Sequence, residues 1–113
     1  MKRIEAFIKN DRLQVVLDAM KKIEVNGITV IGARGQGEGP RPLVEVSRGT
    51  MRQVAEFNSI EIIVTIVSDQ KVQEVMSAIA NAASAGSKGD GKIFVSPVDE
   101  ALDICTKKKI SIT

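Results

Sequence analysis

The stretch IEIIVTIV, residues 60–67, is apolar at every position except Glu61 and Thr65. It is rich in β-branched residues and bounded by Asn58-Ser59 and Ser68-Asp69, so it reads as a strand. A strand that is apolar on both faces needs cover on both. Upstream, KRIEAFIK (2–9) places Ile4, Ala6 and Ile8 on one face and reads as another strand. Asn10 or Asp11 is positioned to cap a helix. Leu13, Val16, Leu17, Met20 and Ile23 recur at helical spacing and predict that helix, amphipathic, over 12–24. Asn26-Gly27 is expected to end it, because both residues tolerate positive φ. ITVIGA (28–33) reads as a second strand. Downstream, Ser68 or Asp69 caps a helix over 70–84 with an apolar stripe of Val72, Val75, Met76, Ile79 and Ala83. KIFV (92–95) is a fourth strand that Pro97 stops. DEALDI (99–104) reads as a short helical turn and ISIT as a short strand.

The order is strand–helix–strand, long loop, strand–helix–strand. This is the ferredoxin-like βαββαβ layout of an α+β protein, in a single domain spanning 1–113. Two helices cover one face of the sheet. The other face is expected to pack against further subunits, with cyclic symmetry the simplest closure. The end of the second strand is expected near the middle of the sheet, close to a neighbour's glycine loop. Residues 35–56 show no clear period and read as a long functional loop.

Composition removes several classes of function. The 113 residues are 43% apolar and 27% charged, in keeping with one folded domain. There is no histidine, tryptophan or tyrosine. The commonest acid–base side chain and zinc ligand are therefore missing, and a Ser-His-Asp or Cys-His mechanism is excluded within the chain. The lone Cys105 excludes an internal disulfide. No apolar run approaches a membrane span, and MKRIEAFIKND lacks the pattern of a signal peptide, so a cytoplasmic protein is expected. A net charge of +2 does not mark a nucleic-acid surface. An RNA-binding sheet would need stacking aromatics, and the chain has only Phe7, Phe57 and Phe94.

AGSKGDGKIFV (85–95) holds the densest candidate chemistry. Gly86-x-x-x-x-Gly91-Lys92 matches the opening of a P-loop. However, Ile93 stands where a magnesium-binding Ser or Thr is required, and a helix leads into a strand rather than the reverse. Two readings remain. One is a helix C-cap and turn with Gly86 left-handed. The other is a set of backbone N–H groups converging on an anion, aided by Lys88 and Lys92. A second cluster, Gly35-Gln-Gly-Glu-Gly39, reads either as a flexible linker or as the facing wall of a nucleotide pocket. Cys105, beside Lys107, Lys108 and Lys109, is either a reactive thiol or an inert small residue next to a solvated basic stretch. Glu61 stands out as a carboxylate in an apolar strand.

Taken together, MKRIEAFIK, Val25-Asn-Gly27-Ile-Thr-Val30, Arg34-Gly35-x-Gly37, Ser47-Arg48-Gly49 and, above all, Gly89-Asp-Gly-Lys-Ile-Phe-Val-Ser-Pro97-Val resemble the PII signal-transduction proteins. The match runs from Met1 to about Thr106. The resemblance implies a homotrimer that binds ATP or ADP in clefts between subunits, with magnesium as a companion. It also implies a T-loop (36–57) that docks onto an ammonium transporter or a metabolic enzyme; the alternative is a T-loop that blocks a channel constitutively, with no nucleotide sensing. A B-loop (84–91) and a C-loop (103–113) complete the layout. Nucleotide-binding positions fall on Thr29, Gly35, Gln36, Gly37, Val64, Ile66, Gly86, Lys88, Gly89, Asp90, Gly91 and Lys92. Partner-binding positions fall on Glu45, Ser47, Arg48, Gly49 and Arg52. A nitrogen regulator of this kind is cytoplasmic, is neither enzyme nor nucleic-acid binder, and reaches a membrane only through a transporter.

The chain departs from the PII pattern at several positions. Asp103 and Cys105 stand where the family places two arginines on the phosphates. Ala85 and Ser87 replace the B-loop Thr and Lys, with Lys88 as a compensating charge. Gly39 and Ile60 replace the Gln and Lys that serve magnesium and 2-oxoglutarate. Arg52 replaces the tyrosine that some members uridylylate, and Ser47 resembles a phosphorylated site of others. These changes predict weak or absent 2-oxoglutarate binding and a reduced preference for triphosphate, so that ADP, AMP or cyclic AMP competes.

Overall fold

A computed structural model of the protein describes residues 1–37, 43–46, 51–54 and 57–111. Strand β1 (Lys2–Lys9) leads through a 3-10 turn into helix α1 (Leu13–Lys22), and β2 (Ile28–Gly35) comes next. β3 (Leu43–Val46) and β4 (Met51–Val54) pair antiparallel with each other. β5 (Asn58–Val67), a second 3-10 turn, α2 (Val72–Ala83) and β6 (Gly91–Pro97) repeat the first unit. The main sheet has the order β2-β5-β1-β6, with antiparallel neighbours throughout. This is the ferredoxin-like arrangement expected from the sequence. A short ladder of β7 (Ala101–Leu102) and β8 (Lys109–Ile110) closes the described chain.

The period-2 alternation of β1 decides where the core sits. Ile4, Ala6 and Ile8 are at most 2% exposed and face the helices. Across the strands they meet Thr65, Ile63 and Glu61 of β5, and Val95, Ile93 and Gly91 of β6. The helices answer with Val16 and Met20 from α1 and with Val72, Val75, Ile79 and Ala83 from α2. Each large apolar side chain among these contributes about 1.5–3 kcal/mol on leaving water. Thr65 is buried among them, and its hydroxyl is satisfied by donating to the Gly27 carbonyl at 2.6 Å.

The other face carries Thr29, Ile31 and Ala33 of β2 and Ile60, Ile62, Val64 and Ile66 of β5. Phe7 of β1 and Phe94 of β6 continue it. Among the described residues no helix covers it. Ile31 is 46% and Phe94 54% exposed, and Phe94 meets Phe7 edge-to-face at 5.6 Å.

Several local expectations are corrected. β2 is an edge strand rather than a central one, because β5 inserts between it and β1. α1 ends before Asn26-Gly27. Glu24 takes the left-handed position (φ 63°), with Glu24 N–H donating to Lys21 O and Val25 N–H to Met20 O. That pair of bonds is a Schellman closure without glycine. Neither Asn10 nor Asp11 caps α1, and neither Ser68 nor Asp69 caps α2, since 3-10 turns precede both helices. Asp69 instead accepts from the Met1 ammonium group at 3.0 Å. That contact lowers the Asp69 pKa. Residues 99–104 form no helical turn; Ala101–Leu102 pair with Lys109–Ile110. Part of the long segment after Gly35 is a strand pair rather than featureless loop.

Candidate functional site

Antiparallel pairing brings four strand ends together at one end of the sheet. β1 and β2 finish there, and β5 and β6 begin there. The register reads Gly32–Glu61–Ile8–Gly91 across all four strands. Gly35 leaves one edge of this end and the glycine loop enters the other edge. Three strand spacings and three residues separate Gly35 from Gly91, roughly 17 Å. Glu61 lies half-buried in that row on the helix side, with Oε2 3.8 Å from where a Cβ on Gly32 would stand.

The glycine loop, 84–91, takes its shape from both ends. α2 stops at Ala83 with Ser84 extended as its cap, so Gly86 does not cap the helix as one reading expected; it turns left-handed (φ 80°) two residues farther on, within the loop. At the far end Gly91 adopts φ 127°, and any Cβ there would collide with the Phe7 carbonyl oxygen. Only glycine lets the loop enter β6 this close to β1. Between these ends the Asp90 carboxylate is turned into the loop. Its Oδ2 accepts from the backbone N–H groups of Ala85 (2.9 Å), Gly86 (3.0 Å) and Ser87 (3.2 Å). Its Oδ1 accepts from the Ser87 hydroxyl (3.2 Å) and from Lys9 Nζ (3.4 Å). The Ala85 N–H is the main cause that lowers the Asp90 pKa to about 2. Partial desolvation opposes it, and Ser87 and Lys9 add to it.

The loop therefore does converge several amides on an anion, but the anion is its own side chain. Lys88 and Lys92 are exposed, and among the described residues no carboxylate pairs with either. Beneath the loop a hollow of about 300 Å³ lies between α2 and β6, lined by Ile79, Ala83, Asp90 and Lys92 among others.

Gln36 and Gly37 continue from β2 and are exposed. Thr29, Val64 and Ile66 are elsewhere. Thr29 pairs directly with Val64, and both stand on the uncovered face with Ile66. Two residues along and three strands across separate Thr29 from Lys92, roughly 16 Å. One chain thus gathers Gly35, Gln36, Gly37, Gly86 and Lys88 to Lys92 at one end of the sheet. Lys92, paired with Phe7, opens onto the same face as Thr29, Val64 and Ile66, which stand farther along it. Glu45 and Arg52 are opposite each other in the β3–β4 ladder. Ser47, Arg48, Gly49 and Gly39 lie outside the described residues.

At the C-terminal side, Asp103 holds its own segment closed. Its Oδ1 accepts from Thr106 N–H (3.0 Å), its N–H donates to Lys108 O (2.9 Å) and its carbonyl accepts from Lys107 N–H (2.8 Å). Lys107 is left-handed (φ 61°), Lys109 pairs with Glu100 at 2.9 Å, and Cys105 is exposed on the turn. Among the described residues no group of three or more acidic, Cys or His side chains is placed to hold a metal, and no helix is long and apolar enough to cross a membrane.

Sequence reasoning missed the inward role of Asp90 and the part played by Lys9. The available signal was an Asp a few residues after a run of small residues, the composition of side-chain-to-backbone turns.

Comparison with known proteins adds to this geometry. Residues 1–108 match the family described as nitrogen regulatory protein P-II. The chain is similar to the nitrogen regulatory protein P-II of Rhizobium meliloti, at 40% identity over 94% of this chain and 93% of that protein. It is similar to the protein of the same name from Azospirillum brasilense, at 39% identity over 96% of each chain. It is also similar to the nitrogen regulatory protein GlnK2 of Haloferax mediterranei, at 33% identity over 96% of this chain and 86% of that protein.

Proposed function

The chain belongs to the nitrogen regulatory protein P-II family, and from that premise we propose that it is a homotrimeric sensor of adenine nucleotides that controls a partner through its T-loop. The observation that carries this reading is the division of the nucleotide-binding positions within one chain. Lys88, Gly89, Gly91 and Lys92 stand at one end of the sheet, and Thr29, Val64 and Ile66 stand roughly 12–16 Å from Lys92 along the open face. One mononucleotide meets both groups when the open face of one copy abuts the loop end of another.

The same open face supplies the reason for association. A contiguous apolar surface of Ile31, Ile62, Phe7 and Phe94 has no cover among the described residues of the single chain. Surfaces of this kind mark protein contacts.

The residues present suit a phosphorylated adenosine. Lys88 and Lys92 are exposed cations, and the loop backbone from Lys88 onward is not engaged by Asp90. When bound, the nucleotide supplies negative charge and an adenine ring. The chain itself supplies cations and main-chain donors for the charge, and Thr29, Val64 and Ile66 from a neighbouring copy for the base. Magnesium would arrive with the phosphates. The nucleotide regulates by favouring one of two arrangements of residues 36–57, and it does so only through its differential affinity for the two. The partner is an ammonium transporter or an enzyme of nitrogen metabolism.

A second reading is favoured by the C-terminal turn, namely that the sensed nucleotide is AMP or cyclic AMP. Asp103 is committed to its own turn, and neither it nor Cys105 offers a cation to a second or third phosphate. Calorimetry with ATP, ADP, AMP and cyclic AMP, with and without magnesium and 2-oxoglutarate, tests both readings. Light scattering should give a mass near three times 12.2 kDa. Submicromolar ATP binding strengthened by 2-oxoglutarate would overturn the second reading. A monomer with no affinity for any adenosine compound would overturn the first.

A further inference from the structure

The glycine loop resembles an anion cradle whose amides are already occupied. The N–H groups of Ala85, Gly86 and Ser87 all donate to one oxygen of Asp90, and the other oxygen receives the Ser87 hydroxyl and Lys9. No ligand could use these three amides without displacing an ionised carboxylate. The carboxylate belongs to the residue between Gly89 and Gly91, both at positive φ. Its position therefore fixes how the second half of the loop faces outward. Lys9 anchors the cluster to the end of β1, and Gly91 anchors it against Phe7.

We infer that Asp90 is a positioning residue: a built-in anion that closes the first half of the loop before any ligand arrives, so that Lys88, Gly89, Gly91 and Lys92 meet a phosphate in one preformed shape. Asp90 does not touch the nucleotide through its side chain. It acts through the backbone that it holds, and the benefit is preorganisation, since the loop is ordered during folding rather than at the cost of ligand affinity. This inference rests on the nucleotide reading for its ligand, but not for the closure of the loop. Aspartate suits the role because a charged acceptor makes stronger hydrogen bonds to several donors than a neutral one.

The test compares wild type, Asp90→Asn and Asp90→Ala as full chains. The first measurement is made without ligand: amide exchange at residues 85–87 by NMR. Exchange should rise by about tenfold or more in Asp90→Ala, with Asp90→Asn intermediate because its one carbonyl oxygen still accepts. The second measurement is calorimetry with ADP and with adenosine. ADP should lose about tenfold or more in affinity in Asp90→Ala, while adenosine, which lacks phosphate, stays within about twofold of wild type. Thermal unfolding of both variants confirms that the fold is retained.

Unchanged exchange at 85–87 in Asp90→Ala overturns the inference whatever the ligand. Faster exchange with unaltered ADP affinity, or an equal loss for ADP and adenosine, overturns the positioning role. If wild type binds neither compound, the nucleotide reading fails, and the exchange measurement still decides whether Asp90 closes the loop.

Discussion

Gly91→Ala is the substitution whose consequence can be worked out most fully. Gly91 sits at φ 127°, a conformation that L-residues rarely adopt, and an added Cβ would run into the Phe7 carbonyl oxygen, with Ile8 Cα 3.3 Å away. The backbone strain alone costs about 1–3 kcal/mol. The clash is with backbone on the central β1 strand, so no side chain can swing aside. β6 must draw away from β1 at the Ile8–Gly91 pair and lose ladder bonding there, at about 1 kcal/mol for each bond. The sum is about 3 kcal/mol or more, which for a domain of this size lowers the melting temperature by about 10 °C or more.

Gly86→Ala is the internal control. Gly86 is also left-handed (φ 80°), but a Cβ there meets nothing within 4 Å. Its cost is the conformational penalty alone, about 1 kcal/mol. Thermal unfolding by circular dichroism, at one fixed protein concentration, separates the two. Equal melting temperatures for the two variants, or a loss in Gly91→Ala no larger than about 3 °C, would refute the claim that close approach to Phe7 dictates glycine here.

Ile31→Glu places a charge on the open face at a position already 46% exposed in one chain, so the fold survives and association does not. Light scattering should then read near 12.2 kDa, and an unchanged trimeric mass would show that the face is not the contact. Cys105→Arg restores a guanidinium on the exposed turn without touching the bonds made by Asp103. Calorimetry should show ATP affinity rising by about 10-fold to 100-fold, the equivalent of one charge-assisted hydrogen bond, and no gain would contradict the proposal that the residue at 105 sets the preference among adenine nucleotides. The Asp90 pKa is lowered in the folded protein to about 2. Its contribution to stability is therefore complete above the unfolded value of about 3.9 and is lost as pH falls through the interval down to about 2. Amide exchange at 85–87, corrected for intrinsic rates, should show constant protection from about pH 5 to about pH 9. A protection step near neutrality would contradict the assignment.

The core was legible in the sequence because it obeys local periods. Ile4, Ala6 and Ile8 alternate, and Val72, Val75 and Ile79 recur at helical spacing. Strand order was less legible. Nothing local to ITVIGA distinguishes an edge strand from a central one, and the insertion of β5 beside β1 is a long-range choice. The closure of α1 was not legible, because Glu24 accepts a left-handed backbone that composition assigns to Asn26-Gly27. DEALDI has helical composition, yet the pairing of Ala101–Leu102 with Lys109–Ile110 overrode it. At the site, the glycines and lysines were visible as a motif, but the direction of the Asp90 side chain was not. An aspartate between two glycines reads as turn chemistry until the amides that it accepts are located in space.

Chain mixing tests the shared nucleotide site most directly. Lys92→Ala removes one of the two loop cations, and Thr29→Phe blocks the base position on the open face; each variant alone should bind ADP poorly. After unfolding and refolding together in equal amounts, about one quarter of the seams should join an intact Lys92 from one chain to an intact Thr29 from another, and that fraction of ADP sites should return at wild-type affinity. If the mixed sample binds no better than the two variants apart, the site lies within one chain and the seam-built sensor is wrong.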